Sequence, residues 1–153
     1  MSLDKQTLID ALKNMPDSSD NATASIEFAK AFEAYFKAAT ANGTIPVTLT
    51  YSTLQPTLLT TMNSNTVLQT LGTSFQTWAL TWAFADATFT GAPGTTAAVG
   101  APLDAEMNII CADPASGSIE KIAEKVHIWA TGGNIIVTLS NNQTAVTTPG
   151  TVA

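Results

Sequence analysis

Five large apolar side chains, Leu68, Leu71, Phe75, Trp78 and Trp82, recur at alternating steps of three and four residues. Only a helix places all five on one side of the backbone, so the spacing predicts a helix over about 65–86 with a single apolar stripe. Gly72 and several threonines lower its intrinsic propensity, so packing has to hold it in place. The stripe has two readings. Core packing is the ordinary one. The other is a subunit contact formed by Phe75, Trp78 and Trp82 together with Trp129, because tryptophan is favoured at interface hot spots.

Similar spacing marks three further helices. Leu8, Leu12 and Met15 give a short amphipathic helix within 1–16, which Pro16 ends and which is suited to act as a docking arm. Phe28, Phe32, Tyr35, Phe36 and Ala39 give a longer one over 22–41, left through Asn42-Gly43. Ile119, Ile122, Val126 and Trp129 give the fourth over 118–130, ended by Gly132-Gly133. Between them, alternation predicts a strand over 44–51, with Pro46 marking it as an edge, and a strand over 134–140. Met107 to Cys111 and Thr88 to Thr90 are weaker strand candidates. Residues 52–65 read as a loop with one helical turn, 91–102 as a Gly/Ala/Pro/Thr loop, and 141–153 as a loose tail or a last edge strand. The pattern is α+β: about four amphipathic helices on a small threonine-rich sheet, in a single domain over 1–153. Ser25-Ile26-Glu27 leading to Val47-Thr48-Leu49, and Ser118-Ile119-Glu120 leading to Val137-Thr138-Leu139, suggest a helix–strand pseudo-repeat.

Composition narrows the function. Charged residues make up 12% of the chain, about half the usual share. Net charge is −6, all six basic residues are lysine, and arginine is absent. Specific grip on nucleic acid needs clustered cations and forked arginines, so that class is set aside. Asp4, Lys5 and Asp10 interrupt any secretory leader, and no apolar run is long enough to span a membrane. Cys111, the one cysteine, reads as a small buried apolar residue.

Sites for chemistry are scarce. His127 has no second histidine or cysteine at ligand spacing, and reads as a surface or boundary residue. Asp104, Glu106 and Asp113, with Asp86 at the end of the aromatic helix, are the acids open to acid–base work, and a hydrolase would be built on Asp86, Asp104 or His127, yet carboxylates near turns are ordinarily caps. Gly91 to Gly100 lacks the lysine of a phosphate loop. The reading is of a non-enzyme without metal or cofactor. A different class, a ligand-binding or adhesive module, would use the Trp-bearing helix and the 91–102 loop.

The succession of elements resembles a known group. The short helix from Leu8 to Met15 is followed by an alanine-rich helix running into a threonine-rich strand, Phe28 to Tyr51. A Trp-bearing helix then leads into Ala87-Thr88-Phe89-Thr90-Gly91, and the second half is rich in Thr, Ala and Gly. In this the chain is similar to small virion proteins of tailed bacteriophages, those of the tail, neck or baseplate. The resemblance covers much of the chain and carries over no functional residue. It implies a non-catalytic subunit, assembled in the host cytoplasm into a virion with copies of itself or other particle proteins.

Overall fold

Three helices begin where a short polar side chain is in reach of free backbone amides. Asp4 accepts from the amides of Gln6 and Thr7 and opens α1 (Lys5–Lys13); Asp20 accepts from Thr23 and opens α2 (Asn21–Phe36). Ser118 does the same for α6 (Ile119–Thr131) through Lys121. The computed structural model describes residues 3–41, 44–46, 48–86, 94–113, 115, 117–140 and 147–151. Among these lie three more helices, α3 (Tyr51–Asn63), α4 (Leu71–Ala79) and α5 (Ala101–Ala112), so the helices number six rather than about four. The fold class is α+β.

Five strands form one antiparallel sheet in chain order: β1 (Thr44–Pro46), β2 (Ala83–Asp86), β3 (Gly94–Ala98), β4 (Ile135–Ser140) and β5 (Thr147–Thr151). Register follows the side-chain period of two. Thr96 lies opposite Val137 and Ala98 opposite Ile135, all facing inward, while Thr95 opposite Thr138 and Ala97 opposite Ile136 face outward. β1 is an edge, as Pro46 predicts.

Several elements depart from expectation. The strand expected over 44–51 keeps only Thr44–Pro46 among the described residues, and Tyr51 starts a helix instead. α3 was hidden by Pro56 and its threonines. It forms because Leu54 and Leu58 are buried and because its polar side chains bond α2, Gln55 to Ser25 at 2.9 Å and Asn21 to Asn63 at 2.9 Å. The helix expected over 65–86 is confined to Leu71–Ala79. Thr81 closes on the Trp78 carbonyl through both its amide and its hydroxyl, and the chain turns into β2. Residues 94–98 are a strand in the middle of the sheet, not loop, and Met107 to Cys111 is helical. Pro102 fits in the first turn of α5, where a missing N–H costs nothing. Residues 147–151 pair with β4, so the described part of the expected tail is an edge strand. The strand expected at 88–90 lies outside the described residues.

The pseudo-repeat survives as an order of elements, α2 leading into β1 and α6 into β4, but not in detail. Ser118 caps a helix, whereas Ser25 sits inside α2, buried, with its hydroxyl donating to Ala22 O. Val137-Thr138-Leu139 belongs to β4, but Thr48 and Leu49 lie outside any strand. The segment read as a docking arm is part of the body as well, since Leu8, Ile9 and Leu12 are buried on the side where α1 meets α2 and α6.

Candidate functional site

Phe75, Trp78, Trp82 and Trp129, the residues considered for a subunit contact, form the centre of the core. None is more than 4% exposed. Phe36 makes ring contacts with Phe75, Trp78 and Trp82, and Phe75 stacks near Trp129 at 5.8 Å between centroids. Side chains so fully covered by their own chain have no area left for a partner. The indole of Trp78 donates to the Thr50 carbonyl at 2.9 Å and to the Thr53 hydroxyl at 3.0 Å, and that of Trp129 donates to the Val99 carbonyl at 2.8 Å. Of the ligand-binding reading, Trp78 and Trp82 are buried, and the 91–102 loop is, where described, β3, the two residues Val99-Gly100 and the start of α5; Pro102 and Trp129 line a cleft of about 250 Å³ with Glu106, Lys125 and Ile128.

The residues considered for catalysis are spread among structural bonds. Asp104 reaches from α5 to the start of α4, where it accepts from the amide of Thr73 at 3.1 Å and from its hydroxyl, acting as a cap supplied by another helix. Glu106 pairs with Lys125 at 3.1 Å. His127 Nδ1 lies 2.8 Å from the Tyr35 hydroxyl, a boundary position joining α6 to α2, and the tautomer decides which atom donates. Burial pushes the Tyr35 phenol up, with the Asp4 charge adding to it. Asp86 ends β2 and Asp113 follows α5, remote in sequence from one another. Among the described residues no cluster of His, Cys, Asp or Glu is placed to hold a metal. Nor is any helix there long and apolar enough to cross a membrane.

Cys111 is half-buried rather than buried. It lines an open apolar groove of about 480 Å³ with Leu68, Ile110, Ile119 and Ile122.

The surface that stands out is the outer face of the sheet. Every acid and every lysine except Asp86 lies outside the five strands, on α1, α2, α5, α6 and their connections. Among the described side chains of β3 and β4 the exposed ones are Thr95, Ala97 and Ile136, with Val99 continuing the same alternation. Ile136 is 41% and Val99 54% exposed. The exposed positions of α3 and α4 are uncharged too, but they are mostly Ser, Thr, Gln and Asn, with Leu80 alone as a large apolar side chain. Neutrality and exposed apolar area coincide on this sheet face, an uncommon use of a solvated β surface, and also on α5, whose exposed positions Ala101, Pro102, Ala105, Asn108 and Ile109 are uncharged. Sequence reasoning passed over the sheet face although a signal was present. No Asp, Glu or Lys occurs between Lys37 and Asp86, between Asp86 and Asp104, or after Lys125. Those gaps hold all five strands.

Comparison with known proteins finds nothing to place beside this geometry: no family matches the sequence, and no curated protein or solved structure matches the chain.

Proposed function

We propose that the protein is a non-catalytic assembly subunit of a multimeric particle, of the kind its sequence resembles: a virion protein of the tail or head–tail region of a bacteriophage, put together in the host cytoplasm. Its partners are copies of itself or other proteins of the particle, with no specific hold on nucleic acid. One observation carries this reading, the segregation of charge away from a sheet face that exposes Ile136, Val99 and Ala97.

The physical argument is one of cost. Bringing a neutral β surface against a partner removes water from methyl groups and hydroxyls without stripping an ion of its hydration. Particles repeat each contact many times, so a modest contact per subunit is sufficient. The acids and lysines meanwhile sit on the helical side, where they keep the subunit soluble before assembly.

Light scattering coupled to size-exclusion chromatography tests the reading. Assembly predicts a mass above the 15.9 kDa of one chain, rising with concentration or with addition of neighbouring gene products. A mass of 15.9 kDa at every concentration and with every such product contradicts it.

A further inference from the structure

Resting on the assembly reading, we infer that two copies of this chain pack sheet against sheet through their outer faces, about a two-fold axis near Ile136 and Ala97. Three observations lead to a second copy rather than to another occupant.

The first is charge. Each molecule carries −6, and its charged residues other than Asp86 lie on the helices and their connections. Two copies approaching helix to helix bring like charges together, whereas two sheet faces bring together Thr, Ala, Val and Ile. The neutral face matches itself. The second is the state of the sheet edges. β1 carries Pro46 and β5 carries Pro149, and a proline has no amide hydrogen to donate to a new strand. Neither edge invites strand addition, which leaves the face as the part of the sheet open to a partner. The third is relief. Ile136 lies directly across the ladder from Ala97, a large side chain beside a small one, and Thr95 and Ala83 continue the low ground toward β2. A two-fold axis lays the raised isoleucine of each copy into the alanine hollow of the other, the self-complementary contact that such symmetry requires.

Size then sets the strength. Five strands about 4.8 Å apart and about 17 Å long give roughly 400 Å² of flat face per copy. A standard interface takes about 800 Å² per partner, so the pair is expected to be weak by itself and to fill only as concentration rises.

Thiol cross-linking in a Cys111→Ser background tests the geometry, since each added cysteine is then the only thiol. Ile136→Cys is compared with Lys121→Cys, an exposed position on α6. With a short bis-maleimide cross-linker, which spans the offset between the two isoleucine positions, in the concentration range where light scattering shows association, Ile136→Cys is expected to give a cross-linked dimer and Lys121→Cys is not. Association by light scattering with no cross-link at position 136, or with a cross-link at 121 alone, overturns the face-to-face pair and leaves the assembly reading standing. A chain that stays monomeric by itself but binds a neighbouring gene product has the same two consequences. A monomer that binds nothing overturns both.

Discussion

The carbonyl oxygen of Gly100 stands 2.0 Å from the point that a β-carbon on Gly72 would occupy, and the carbonyl of Gly72 stands 2.1 Å from the matching point on Gly100. The backbones of α4 and α5 thus touch where the two helices begin. This close approach lets Asp104 reach the Thr73 amide, and it lets Gln76 accept from the Gly100 amide at 2.9 Å. Neither glycine is there for a left-handed turn; both are there because no side chain fits.

Alanine at either position is accordingly expected to be among the most damaging small changes in the molecule. The obstructing atoms are backbone, which cannot rotate away, so Gly72→Ala or Gly100→Ala should cost about 3 kcal/mol or more. Urea unfolding followed by tryptophan fluorescence measures this, and a loss below about 1 kcal/mol for both would mean that the helices do not touch as described.

Trp78 and Trp82 separate a hydrogen-bonded indole from an unbonded one. Both are buried, but Trp78 donates twice, whereas the Trp82 indole nitrogen has no partner among the described residues. Replacing each by Phe removes similar area, so the difference should follow the hydrogen bonds. Trp78→Phe is expected to be about 1 kcal/mol more destabilising than Trp82→Phe, because it removes two indole hydrogen bonds, while the Thr53 hydroxyl goes on donating to the Thr50 carbonyl at 3.0 Å. Equal losses in chemical denaturation would contradict the assigned bonds.

Among the described residues the hydroxyl of Thr96 is the second buried side-chain polar atom without a partner. Thr96 faces the core from β3, opposite Val137. Thr96→Val keeps the branched shape that suits a strand and removes the uncompensated hydroxyl. Thermal unfolding should show the variant more stable by about 1 kcal/mol; a destabilised variant would point to a partner for the hydroxyl.

Tyr35 predicts a dependence on alkaline pH. Its folded-state pKa lies above its ordinary value, chiefly through burial. A raised pKa contributes stability that is whole below about pH 10 and is lost as pH rises from there toward the folded value, because only the unfolded chain ionises easily. Tyr35→Phe abolishes that term and also the contact with His127. The variant should be less stable than the parent near pH 7 by about 1 kcal/mol, with the gap closing above pH 10. Parallel curves across that range would rule out the buried phenol.

Some of this was legible in the sequence, and the limits have physical causes. α1, α2 and α6 follow from apolar spacing with a capping Asp or Ser ahead of it, signals that are local. The stripe through Leu71, Phe75, Trp78 and Trp82 identified core residues correctly but overstated the helix. Trp82 keeps its core position after the backbone has turned, and Phe84 then continues on a period of two. Gly94-Thr-Thr-Ala-Ala reads as loop because its strand character comes from pairing, most of it with β4, a partner distant in sequence. α5 was legible in retrospect, since Leu103, Met107 and Ile110 fall at steps of four and three behind Pro102. The candidate interface has no motif. It is a run of missing charges that acquires meaning only when the register turns Ala97 and Ile136 toward the same side.

Sedimentation velocity on the wild type beside a Thr95→Lys, Ala97→Lys double variant at matched concentrations tests the role of that face most directly. Both positions are exposed and outward, so the two lysines spare the core while placing charge where copies are expected to meet. The account predicts that the wild type sediments as a species heavier than 15.9 kDa as concentration rises while the variant remains at one chain. Identical sedimentation of the two proteins, whether both associate or both stay single, contradicts it.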